Sequence, residues 1–102
     1  TKIDTKTQTV MVGPARLLEV NVIECVKVTH ALRPFMQGET LAMQWRAHGI
    51  QVPCVIEHVT DTTMRFRTHS PIRGVAAGQQ AVFYDGDVVI GSATIHDSAR
   101  ID

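Results

Sequence analysis

Gly78-Gln79-Gln80-Ala81-Val82-Phe83-Tyr84-Asp85-Gly86-Asp87-Val88-Val89-Ile90-Gly91-Ser92-Ala93-Thr94-Ile95 decides the reading of this chain. Two β-prone runs, Ala81 to Tyr84 and Val88 to Ile95, flank Asp85-Gly86. Asp-Gly between such runs is a strong local hairpin signal, because Gly accepts the positive φ of a tight turn that matches strand twist. Phe83 and Tyr84 are neighbours in a strand, so one ring faces in and the other out, and Tyr84 is the exposed candidate.

Outward from the hairpin, the same period-2 pattern recurs. Thr9 to Val12 is a short β-type run stopped by Gly13-Pro14. Leu17 to Cys25 alternates, with Val20 and Val22 on one face and Glu19, Asn21 and Glu24 toward water. Thr40 to Ala47 sets Leu41, Met43 and Trp45 opposite Gln44 and Arg46. That pattern makes Trp45 a core residue rather than a base-stacking one. Ile50 to Val59 is interrupted by Pro53, which implies a sheet edge or a bulge there. Met64 to Thr68 sets Met64, Phe66 and Thr68 opposite Arg65 and Arg67, and Ser70 to Gly74 reads as a turn. Some six to eight short strands with no convincing helix predict an all-β fold, a small antiparallel barrel.

The chain has 102 residues, enough for one domain with a real core. Aromatic residues make up only 5%, so aliphatic side chains must fill that core. Ten basic and ten acidic residues cancel, which argues against the basic surface of a strong autonomous nucleic-acid binder. The arginines nevertheless gather in the middle of the chain and the aspartates late, so a local positive face is compatible with neutrality. Cys25 and Cys54 lie in apolar runs without a Cys-x-x-Cys and read as buried, reduced thiols. No run approaches the roughly 20 apolar residues of a membrane span. The first residue is not Met, so the chain reads as a piece of something longer.

Little here suggests catalysis. His30, His48, His58, His69 and His96 include no ligand-like pair at i, i+2 or i, i+4. Ser70, His69 and Asp61 lack a nucleophile elbow. Phosphate binding is the sharper expectation. Arg46, Arg65 and Arg67 should point outward, His48 shares a side with Arg46, and Arg33 and Arg73 sit on loops at the rim. Guanidinium forks suit phosphate oxygens and hold an RNA backbone without reading its sequence. The competing reading is a solvated face whose arginines pair with Glu57 or Glu39.

The string from Gly78 to Gly91 resembles the closing segment of the tRNA-specific 2-thiouridylases, Gly-Gln-x-Ala-Val-Phe-Tyr-x-Gly-Asp-x-x-x-Gly. Ile3 to Gly13 is similar to the end of that family's central domain, with Gln8 in place of Asn. Met43-Gln44-Trp45-Arg46 with Val52-Pro53-Cys54-Val55 is similar to its Lys-Ile-Arg-Tyr-Arg segment and the following strand, in wording closest to mitochondrial members. The chain departs from the pattern at Ala47, Ala77 and Gly91-Ser92-Ala93. The resemblance implies that residues 1–13 are the tail of the central domain and residues 14–102 a C-terminal barrel like those of elongation factor Tu. It implies a non-catalytic tRNA-docking domain, with Arg33, Arg46, His48, Arg65, Arg67, Arg73 and Tyr84 as candidate RNA contacts. The parent enzyme would use ATP with Mg and a sulfur-relay protein or cysteine desulfurase to make 2-thiouridine at the wobble position. Its nucleotide loop and catalytic cysteines match nothing here, so this chain holds no catalytic residue, metal or cofactor of its own. Neither DNA nor a membrane is implied, and the compartment is the cytoplasm, alternatively the mitochondrial matrix. The other reading is a translation-factor-like barrel acting as an interdomain or protein–protein module.

Overall fold

The computed structural model describes residues 19–46 and 49–101. The run Thr9 to Val12, the boundary placed after residue 13, and His48 lie outside the described residues. Six strands form: β1 Glu19–His30, β2 Thr40–Gln44, β3 Val52–Val59, β4 Met64–Arg73, β5 Gln80–Asp85 and β6 Val88–Ala99. Every pairing is antiparallel, and the sheet closes in the order β1-β4-β3-β2-β5-β6. The all-β barrel expected from the sequence is the observed fold.

Alternation places the core. Met64, Phe66 and Thr68 of β4 point in, as do Leu41 and Met43 of β2, Cys54 and Ile56 of β3, and Ala81 and Phe83 of β5. Trp45 follows β2 and is buried, as its shared face with Leu41 and Met43 requires. Tyr84 is half-buried on the outer side of β5, with its hydroxyl 3.5 Å from Gln44 Oε1.

The hairpin turn sits one residue later than Asp85-Gly86. Asp85 pairs with Val88, so Gly86 and Asp87 are the central residues. Gly86 has φ +65° and Asp87 is not in the positive-φ region. That is the type II′ pattern, with Gly first.

Two further differences concern prolines and length. β4 continues past Thr68 through Pro71 to Arg73, where a turn was expected. Its ladder with β1 jumps there, from Val22–Arg67 to Val20–Ile72, so three extra β4 residues loop out and Pro71 breaks no ladder bond. Pro53 occupies a local edge rather than a bulge. It pairs with Ala42 of β2, but the β3–β4 ladder begins only at Cys54. β1 is also longer than expected, reaching His30 by way of Lys27 at φ +53°, and Glu24 is buried instead of facing water.

The loop after β1 plugs one end of the barrel. Phe35 packs edge-on to Phe83 at 5.2 Å, and Phe83 edge-on to Phe66 at 5.2 Å. Such pairs contribute about 0.5–1.5 kcal/mol each beyond area burial. His30 fixes the loop: its Nδ1 accepts from the Phe35 N–H at 3.1 Å, and its Nε2–H donates to the Thr60 carbonyl at 3.2 Å. Gly91 of β6 pairs with His30 beneath this plug. A methyl group on Gly91 would collide with the Thr29 carbonyl oxygen and come within 2.9 Å of the Phe35 ring. Gly91→Ala is therefore expected to cost at least about 2 kcal/mol, an overpacking penalty against backbone that cannot step aside. Urea denaturation checks this, and an unchanged midpoint would contradict it.

Candidate nucleic-acid interface

The outer wall made by β3, β4 and β1 gathers charge through one bulge. Ile56 and His58 of β3 pair with the adjacent β4 residues Phe66 and Arg65, leaving Glu57 as an extra residue. Arg65 and Arg67 share the outward side of β4, about 7 Å apart along the strand. Glu57 reaches both, with its carboxylate 3.3 Å from Arg65 Nε and 2.8 Å from Arg67 Nε. Glu19 at the start of β1 does the same for Arg73 at 3.2 Å and Arg100 at 3.1 Å. The wall thus carries two Arg–Glu–Arg clusters. These side chains are all part-exposed, so each pair adds only about 0–1 kcal/mol to stability. The arginines remain able to exchange a carboxylate for a phosphate.

Arg46 adjoins this wall at the Arg73 end of β4. Its guanidinium lies over the Trp45 ring, 5.4 Å from the centroid, and beside Gly74. Arg46, Arg73, Trp45, His69 and Ile50 line a groove of about 330 Å³ there. The Trp45 indole N–H has no hydrogen-bond partner among the described residues, but it is fully buried.

Arg33 and Tyr84 do not join the others. In the closed strand order, β5 lies three places from β4 by either route, so Tyr84 is across the barrel from Arg65 and Arg67. Arg33 grips Glu39 with both arms of its guanidinium, at 2.8 and 3.2 Å, and lies 3.9 Å from Asp85. Glu39 also accepts the Met36 N–H at 2.7 Å. Burial alone would raise the Glu39 carboxyl, but the Arg33 fork, the Met36 N–H and the Arg33 charge together hold it below its usual value. Arg33 is thereby a fastener of the loop that carries Phe35. Of the face expected from the sequence, Arg65, Arg67 and Arg73 share the wall, Arg46 adjoins it at Arg73, and Arg33 and Tyr84 lie elsewhere.

Arg100 is the wall residue that sequence reading missed. It lies after the last strand, and its pairing with Glu19, 81 residues earlier, joins it to the wall. Among the described residues no group of His, Cys, Asp and Glu has the arrangement to hold a metal. Nor do the described residues include a helix long and apolar enough to cross a membrane.

The fold is that of a small, closed, six-strand antiparallel β-barrel domain. The family described as "Aminomethyltransferase beta-barrel domain" matches residues 22–95, and the chain belongs to that family. The tRNA-specific 2-thiouridylase MnmA of Corynebacterium diphtheriae is 45% identical over 101 residues, covering 93% of this chain and 27% of that protein. The protein of the same name from Salinispora arenicola is 46% identical over 99 residues, covering 91% of this chain and 27% of its own length. That from Cutibacterium acnes is 41% identical over 98 residues, covering 96% and 26%. The chain therefore spans about a quarter of the length of these relatives, and corresponds to their barrel domain.

Cys25 and Cys54 are both free and buried, as their apolar surroundings required. Burial pushes each thiol from 9.0 up to about 12; the neighbouring Cys54 and Glu24 charges add to this for Cys25, whereas for Cys54 a backbone hydrogen bond at Leu41 opposes it and Glu39 adds to it. The folded chain thus holds these protons more tightly than the unfolded one. The stability linked to them is complete below pH 9 and is lost as pH rises from 9 toward 12. Urea unfolding at pH 8 and pH 10.5 is expected to show a clear fall, shallower in the Cys25→Ala/Cys54→Ala variant. Equal slopes in the two proteins would contradict the assignment.

Proposed function

We propose that this chain is the tRNA-docking barrel of a tRNA 2-thiouridylase, placed C-terminal to the domains that carry out the chemistry. The supporting observation is the pair of Arg–Glu–Arg clusters on the β3-β4-β1 wall, in a domain whose relatives are named for action on tRNA. Arg65 and Arg67 offer guanidinium forks at strand spacing, and Arg73 and Arg100 offer two more from the end of β4 and the residue after β6. Phosphate contacts of this kind position RNA without reading it, and the resulting affinity depends on salt through counterion release. The chain contributes no step to the reaction. In the whole enzyme, ATP with Mg and a sulfur-relay protein or cysteine desulfurase would act at other domains, in the cytoplasm.

A second reading is an interdomain module without RNA contact. It is favoured by the carboxylates that already meet Arg65, Arg67 and Arg73, and by zero formal net charge. Salt separates the two, because apolar docking is insensitive to ionic strength over the range that screens phosphate contacts.

The test is titration of labelled tRNA at 50 and 200 mM salt. Binding should weaken steeply with salt, and Arg65→Ala/Arg67→Ala should reduce affinity about tenfold at low salt and flatten the slope by about one to two. Glu57→Gln should tighten binding by freeing both arginines. Arg33→Ala and Tyr84→Phe, across the barrel, should leave affinity within about twofold. Salt-independent binding, or loss confined to the Arg33 and Tyr84 variants, would overturn the reading.

A further inference from the structure

The same wall holds a cavity of about 400 Å³, lined by Glu24 of β1, Arg65 of β4, His58 of β3, Thr63 of the β3–β4 turn and His96 of β6. Two bulges flank it. Glu57 is the extra residue beside His58, and His96 is the extra residue on β6, because Ile95 and Asp97 pair with the adjacent Cys25 and Glu24. Bulges re-aim side chains and concentrate beside functional sites. Here they flank the cavity with His58 and His96, both exposed.

Glu24 is the anomaly. It is only 7% exposed, it lines the cavity, and it has no hydrogen bond or ion pair among the described residues. Arg65 is its cross-strand neighbour, yet the guanidinium is turned to Glu57. Its oxygens are not among the buried atoms that lack a partner, so they are open to a donor that enters the cavity. A bare cation suits the place poorly, with a guanidinium and two imidazoles around it and no metal-holding group among the described residues. What fits is a flat molecule with two adjacent N–H donors for the carboxylate, faces for the imidazoles, and a phosphate for Arg65. Guanine, alone among the four RNA bases, presents such a pair of donors, N1–H and the 2-amino group, in line with the two oxygens of a carboxylate. Proteins read single-stranded RNA by splaying out such bases, stacking them on rings and hydrogen-bonding their edges.

We propose that this cavity takes an unpaired guanine of the bound RNA, with the Glu24 carboxylate accepting from N1–H and the 2-amino group and Arg65 beside the adjoining phosphate. The inference rests on the tRNA-docking reading and gives that otherwise sequence-blind wall one point of base selection.

The experiment is calorimetric titration of the 102-residue chain with 5′-GMP, 5′-AMP and 5′-CMP, alongside tRNA, for wild type, Glu24→Gln and His96→Ala. GMP should bind at least tenfold better than AMP or CMP. Glu24→Gln puts an amide donor against the guanine donors and should weaken GMP and tRNA at least tenfold, leaving the salt slope for tRNA unchanged. His96→Ala, at the exposed rim, should weaken GMP a few-fold without affecting the fold. Equal affinity for the three nucleotides, or GMP binding unaltered by Glu24→Gln, would overturn the guanine site while salt-dependent tRNA binding left the docking reading standing. GMP bound through Glu24 with no tRNA binding would overturn the docking reading and the assignment of this site to RNA.

Discussion

The barrel depends on a close approach at Gly91. There β6 meets the end of β1 with nothing between the Thr29 carbonyl and the Phe35 ring, a gap that no side chain could share. Closure of the β1–β6 seam, the seat of Phe35 and the edge-on run through Phe83 to Phe66 all follow from that one absence. Arg33 and Glu39 are subordinate to it. Their bidentate pair, with the Met36 N–H, fixes the loop that delivers Phe35 to the seam. A closed sheet has no free edge, so the barrel can present a wall of charged side chains without inviting strand addition.

Closure also decides which charged residues meet. The two Arg–Glu–Arg clusters exist because β4 lies between β1 and β3, with Glu19 supplied from one side and Glu57 from the other. Glu57 serves two arginines only because the β3 bulge inserts it between two paired positions. The matching irregularity on β6 puts His96 beside Glu24. Positioning cations, a recessed carboxylate and two imidazoles are thus products of two register shifts in an otherwise regular ladder. That arrangement suits a surface that grips a polyanion along its length and tests it at one point.

Much of the fold was legible because its signals are local. Turn residues and alternation marked all six strands, the inward set of Leu41, Met43, Phe66 and Phe83, and the buried thiols. The hairpin slipped by one residue, since Asp-Gly and Gly-Asp overlap in Asp85-Gly86-Asp87 and the register that chooses between them is a property of two strands. The bulges at Glu57, His96 and Lys27 were invisible for the same reason. A single strand does not reveal how many residues its partner spends. The division of the candidate site was also hidden: Arg33, read as a rim-loop residue, and Tyr84, read as an exposed ring, had no stated distance from Arg65 and Arg67 until the order β1-β4-β3-β2-β5-β6 put Tyr84 across the barrel and Arg33 beside Asp85 of β5. Glu24 read as a solvent-facing residue because alternation ignores burial between strands on the outer wall.

The central claim is that binding is one-sided, on the β3-β4-β1 wall. The most direct measurement is amide chemical-shift mapping of the ¹⁵N-labelled chain with unlabelled tRNA. If the RNA lies on this wall, perturbations fall at Glu19, Glu24, His58, Arg65, Arg67 and Arg100, with Val82, Tyr84 and Val89 unmoved. Perturbations concentrated at Arg33, Tyr84 and the β5–β6 turn, with Arg65 and Arg67 silent, would contradict it.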